Sequence, residues 1–194
     1  MITKNDLQLI SKNLDNLLND KKVFLVGFMA AGKTTVGKKI AKKLEVPFFD
    51  SDKEIENKFN MNINNIFDKY GESQFRKIEE NLILEYVNSS KYNNFIMSLG
   101  GGAFINEAIR MAINKNGLSI WLNTNIEIIN SRIKSTKNIR PLLKKFDTLE
   151  KLENLMTERS VYYSKADIKI DIIKTSKEKM TNFILKKISN YYSI

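Results

Sequence analysis

The chain predicts an α/β fold: a five-stranded parallel sheet flanked by helices. Three observations carry that prediction. Five short apolar runs alternate with longer amphipathic stretches, as successive strand–helix units require. The first run ends in a glycine-bounded turn that opens directly into a helical pattern. Finally, 194 residues that are 42% hydrophobic and 28% charged suit one core of ordinary composition and are short for two.

The elements follow in order. Residues 1–22 place Leu7, Ile10, Leu14, Leu17 and Leu18 on one helical stripe, with Thr3 and Asp6 as a capping signal. This segment is expected to be an extra helix lying on its own domain or on a second copy of it. It lacks the continuous apolar core and small-residue cleavage site of a secretory signal, and it carries Asp6, Asp15 and Asp20 but no arginine, unlike a transit peptide. Val23–Val26 is the first strand, followed by helix from Thr34 to Leu44. Pro47–Phe49 is a brief second strand, with helix from about Lys53. Phe95–Met97 runs into Gly100-Gly101-Gly102 and then helix; Ser119–Leu122 is a strand with helix from Asn125. Ile168–Ile172 is the last strand, and a terminal helix runs through Tyr191. Lys134–Asp147 breaks the rhythm, polar and basic with Pro141 inside, and reads as a surface loop. Residues 23–194 therefore form one domain.

Composition excludes several kinds of chemistry. Without cysteine there is no disulfide scaffold, thiol nucleophile or Cys-ligated metal. Without histidine there is no Ser-His-Asp triad and no imidazole base. Proton transfer falls to carboxylates, lysine or tyrosine, and any metal is a hard, oxygen-bound ion. No stretch approaches the roughly 20 apolar residues of a membrane span, so no membrane partner is expected. The net charge of +10 favours anionic partners. Those partners are nucleic acid or a phosphorylated small molecule. Lysines spread along the chain without a block of like charge speak against nucleic acid. A bias towards Lys, Asn and Ile accounts for the charge equally well, and charge alone decides nothing.

The strongest motif is Gly27-Phe28-Met29-Ala30-Ala31-Gly32-Lys33-Thr34, which matches G-x-x-x-x-G-K-[ST] between a strand and a helix. Gly27 and Gly32 let the backbone approach phosphate oxygens so that successive N–H groups, those of Ala30, Ala31 and Thr35 included, point into one nest. The helix adds the positive end of its dipole. Lys33 reaches the β- and γ-phosphates, and the Thr34 hydroxyl is a ligand for Mg²⁺. This is a nucleoside-triphosphate site.

Three further constellations bear on the acceptor. Asp50-Ser51-Asp52 follows the second strand, where ligands bind in open α/β sheets. Its carboxylates either divide between Mg²⁺ and an acceptor hydroxyl or cap a helix. Arg76 and Glu79, three apart, form either a surface salt bridge or an oriented guanidinium for a bidentate hold on a carboxylate. Gly100-Gly101-Gly102 is either a ligand-facing stretch of bare backbone or a flexible turn.

Taken together, Gly-Phe-Met-Ala-Ala-Gly-Lys-Thr-Thr, Phe-Asp-Ser-Asp, Gly-Glu-x-x-Phe-Arg-x-x-Glu, Leu-Gly-Gly-Gly-Ala, Arg-Pro-Leu-Leu and Glu-Arg-x-x-x-Tyr resemble shikimate kinase, in the family's own order, from about Lys22 to Asp171. The resemblance implies a P-loop, nucleoside-monophosphate-kinase-like fold with a substrate-binding helical region at about 52–90 and a lid at about 134–147. It implies transfer of the γ-phosphate of ATP to the 3-hydroxyl of shikimate, in aromatic amino-acid (chorismate) biosynthesis; a gluconate kinase-like enzyme is the alternative. By matching position, Asp52 would polarise the attacking hydroxyl and Asp50 would face Mg²⁺. Arg76 and Arg159 would clamp the shikimate carboxylate, with Glu79 orienting Arg76 and Gly101 offering its backbone. Arg140 would be the lid arginine that reaches the phosphates, and Arg132 the contact to adenine. A cytoplasmic monomer is expected, with a dimer through the N-terminal helix or a plastid form as alternatives. Two departures stand out. Ala30 replaces a common glycine, which predicts a negative φ there, and Val161 replaces a proline between Arg159 and Tyr163.

Overall fold

The computed structural model describes residues 21–134, 148–173 and 175–192. Five parallel strands form one sheet in the order β2-β3-β1-β4-β5. They are β1 (Lys22–Val26), β2 (Phe48–Asp50), β3 (Phe95–Ser98), β4 (Gly117–Thr124) and β5 (Ile168–Ile172). The helices are α1 (Lys33–Lys43), α2 (Ser51–Phe59), α3 (Ile63–Val87), α4 (Glu107–Asn116), α5 (Ile126–Lys134), α6 (Leu149–Tyr163) and α7 (Lys177–Tyr192). The expected fold class holds.

β1 is central because it is apolar on both faces. Val23, Phe24, Leu25 and Val26 are at most 1% exposed, as a parallel strand covered by helices on either side should be. It pairs with β3 on one side (Phe24 opposite Met97) and β4 on the other (Leu25 opposite Ile120). The chain thus leaves β1 for the β2–β3 edge and later returns to the β4–β5 edge. The strand order diverges at the carboxyl end of β1, and that crevice is where open α/β sheets bind ligands.

Several boundaries differ from the periodicity. Lys22 already belongs to β1, and its ammonium donates to the Val87 and Ser89 carbonyls at 2.7 and 2.9 Å, closing the end of α3. α3 is long but broken: Gly71, at φ 75 and ψ 169, separates a first stretch from the one bearing Phe75, Arg76 and Glu79. The glycine triplet leads into a single 3₁₀ turn, Ala103–Ile105, before α4 begins. A small second core of Ile55, Ile66, Phe75 and Leu82 joins α2 to α3, so Phe75 is a packing residue. Arg140 and all of the expected lid but Lys134, together with the whole N-terminal stripe Leu7–Leu18, lie outside the described residues.

Candidate active site

At the end of β1 the backbone turns sharply. Gly27 has φ +135, and a Cβ there would stand 2.8 Å from the Leu122 carbonyl oxygen, so conformation and space both require glycine. Gly32 has φ +101, and α1 begins at the next residue. Ala30 departs from expectation: its φ is +58, in the left-handed region, where alanine is strained but sterically allowed. The surrounding turn, closed by Ala31 N–H donating to the Phe28 carbonyl at 3.2 Å, imposes that conformation. The buried Lys33 ammonium donates to the carbonyls of Gly27 and Phe28, both at 2.8 Å, which folds it back along the loop it serves. Ala31 is buried beneath the loop, and Thr35 is exposed on α1.

Thr34 faces the end of β2. Its hydroxyl donates to Asp50 Oδ2 at 2.7 Å and lies 3.4 Å from Ser98 Oγ at the end of β3. The other Asp50 oxygen accepts from Lys53 N–H at 3.4 Å as the cap of α2. Asp50 therefore caps α2 with one oxygen and faces the Thr34 hydroxyl with the other. Arg132, from α5, donates to the Ala30 carbonyl at 2.8 Å and lies against Gly32, which brings it to the loop backbone.

On the other side of the loop, the glycine triplet collects side chains from three helices. A Cβ on Gly100 would stand 2.6 Å from Glu79 Oε1 and 2.7 Å from Asp52 Oδ1. One on Gly102 would stand 2.6 Å from both terminal nitrogens of Arg76. One on Gly101 would meet the Met29 amide at 3.4 Å and Arg159 Nη1 at 3.6 Å. The triplet is thus a seam between the nucleotide loop and Asp52, Arg76, Glu79 and Arg159. The triplet is a turn, and each of its glycines is closely approached by a functional-candidate side chain.

The Arg76–Glu79 pair is no surface bridge. Glu79 is 2% exposed and accepts from Arg76 Nη1 at 2.6 Å, while Glu72 flanks the same guanidinium at 3.5 Å. Burial pushes the Glu79 carboxyl above the usual carboxylate range, with Asp52 pushing the same way and Arg76 opposing. Arg159 is buried, and its Nε has no hydrogen-bond partner. A buried, unpartnered guanidinium nitrogen is costly, and an anionic ligand would satisfy it.

Two residues that lie within the quoted motifs, but were given no role there, also take part. Ser51 is fully buried and accepts the Gly100 N–H at 2.8 Å, tying the triplet to α2. Its position between two aspartates was the only signal. The buried Tyr163 donates its hydroxyl to the Gly101 carbonyl, and burial pushes that phenol up to about 12. α6 runs unbroken through Val161, so Arg159 and Tyr163 leave the helix one turn apart. Among the described residues no helix is long and apolar enough to cross a membrane.

Comparison with known proteins places the chain in a family. The shikimate kinase family model matches residues 29–189. A shikimate kinase of Bartonella quintana is 40% identical over 94% of this chain and 85% of its own length. One of Rhizobium meliloti is 35% identical over 94% and 93%. A shikimate kinase of Acinetobacter baumannii, solved in complex with shikimate, superposes with a TM-score of 0.84 at 32% identity, covering 94% of this chain and 98% of that one. A gluconokinase of Sinorhizobium meliloti, at 10% identity and a TM-score of 0.50, shares the fold alone. With the family model covering most of its length and relatives of 35–40% identity along nearly all of it, the chain belongs to the shikimate kinase family.

Proposed function

We propose that this protein transfers the γ-phosphate of ATP to the 3-hydroxyl of shikimate, giving 3-phosphoshikimate and ADP on the route to chorismate and the aromatic amino acids. One observation carries the reading: a carboxylate and two arginines converge on a glycine seam that touches the P-loop. Phosphoryl transfer is largely positioning and charge neutralisation, which a chain without histidine or cysteine can supply.

The triphosphate would lie on the amides of residues 27–35 at the start of α1, and Lys33 would exchange its two carbonyl partners for phosphate oxygens. Thr34 and Asp50 form a compact hard-oxygen set that fits Mg²⁺, and they would hold it together with the phosphates. Bound there, the ion supplies neutralisation of phosphate charge. Asp52 would accept a hydrogen bond from the acceptor hydroxyl and then its proton. Arg76, held by Glu79, and Arg159, with its unpartnered Nε, would grip the acceptor carboxylate. Arg132 would close over the base side of the nucleotide.

The test is ATP turnover with shikimate, its carboxamide and gluconate. The reading expects rapid turnover of shikimate, strong discrimination against the carboxamide and negligible turnover of gluconate. Preference for gluconate, or ATP hydrolysis indifferent to acceptor, would overturn it.

A further inference from the structure

Tyr163 lies one helical turn beyond Arg159 on α6, so both side chains leave the same face of that helix. They meet at one atom. The Tyr163 hydroxyl donates to the Gly101 carbonyl, and Arg159 Nη1 reaches the same oxygen from a longer 3.4 Å. The phenol ring is 2% exposed and packs against Trp121, with ring centroids 6.1 Å apart, so the hydroxyl has little freedom to leave. Trp121 is the last β4 residue paired with β1, opposite Val26, which anchors this contact to the sheet.

We propose that Tyr163 is a positioning residue that occupies the Gly101 carbonyl and so keeps Arg159 available to the acceptor carboxylate. The inference rests on the functional reading above. The carbonyl's two lone pairs meet both donors, but the Tyr163 hydroxyl holds the near position while Arg159 Nη1 stays at 3.4 Å and its Nε stays unpartnered. Because a peptide is planar and trans, fixing the Gly101 carbonyl also fixes the Gly102 N–H on its opposite edge. Gly102 is the residue that Arg76 packs against, so one hydroxyl sets the seam between both arginines. Without it, Arg159 would close onto the carbonyl and withdraw from the ligand.

Tyr163→Phe tests this while keeping the ring and its packing. The expected result is a shikimate KM raised about 3- to 10-fold, the effect of one hydrogen bond, with an unchanged ATP KM and weakened discrimination between shikimate and its carboxamide. In an Arg159→Lys background the same substitution should change shikimate KM little, because its effect passes through Arg159. Incorporating 4-aminophenylalanine at 163 restores a donor and should recover most of the wild-type KM; this variant also keeps the test open should Tyr163→Phe fold poorly. A structural role alone predicts lower thermal stability and an equal loss with both substrates, and that outcome overturns the inference. An unchanged shikimate KM in folded Tyr163→Phe, or full additivity with Arg159→Lys, also overturns it. Failure of the functional reading looks different, since the wild type itself would then not phosphorylate shikimate.

Discussion

Gly102→Ala separates the seam's geometry from its fold. Gly102 has φ −101, which alanine adopts without strain, so the backbone tolerates the change. The added methyl, however, would stand 2.6 Å from both terminal nitrogens of Arg76 and 2.7 Å from its Cζ. Ordinary contact needs roughly 3.5–4.0 Å, so the guanidinium must retreat by about 1 Å. Arg76 can retreat, since it is the far end of a flexible side chain and still 28% exposed. The fold therefore stays intact while the clamp is lost. A displaced charge-assisted bidentate hold is worth about 1.5–3 kcal/mol, or about 10- to 150-fold in affinity. The assay is steady-state kinetics against each substrate, with thermal unfolding in parallel. Shikimate KM should rise within that range, ATP KM should hold, and Tm should move by no more than a few degrees. An unchanged shikimate KM would refute the claim that Arg76 reads the acceptor from beside Gly102.

Lys33→Ala should abolish turnover in a folded protein, because it removes the charge at the transferring phosphoryl group and leaves two loop carbonyls short of a donor; near-normal turnover would overturn the P-loop assignment. Asp52→Asn should lower kcat at least about a hundredfold with ATP affinity nearly unchanged; loss of nucleotide affinity at normal kcat would move Asp52 to the metal side. Glu79→Gln should alter stability against pH. The folded carboxyl titrates above its unfolded value near 4.5, so the native state holds the proton more tightly and wild-type stability falls as pH rises between those two values. Glu79→Gln lacks that fall, and identical pH slopes for the two proteins in thermal unfolding would contradict the buried, desolvated carboxyl.

The readings legible in the sequence were those set by chain-local physics. Five strands, the P-loop and the glycine requirement at Gly27 and Gly32 follow from periodicity and from contiguous spacing, because a phosphate nest is built from neighbouring amides. Ala30 shows the limit: a residue that prefers negative φ is held at +58 by a turn whose closure depends on its neighbours. The residues of the acceptor site were all visible, yet their meeting was not. Asp52, Glu79, Gly101 and Arg159 lie on four separate segments, and only the strand order β2-β3-β1-β4-β5 brings them to one crevice. Burial decided what each does. The i, i+3 spacing of Arg76 and Glu79 is the same for a solvated pair as for a desolvated clamp, and packing of α3 against the triplet makes it the latter. Tyr163 and Ser51 follow the same rule. Each makes one hydrogen bond to a glycine far away in sequence, 62 and 49 residues distant, and such a bond exists only after the sheet has formed.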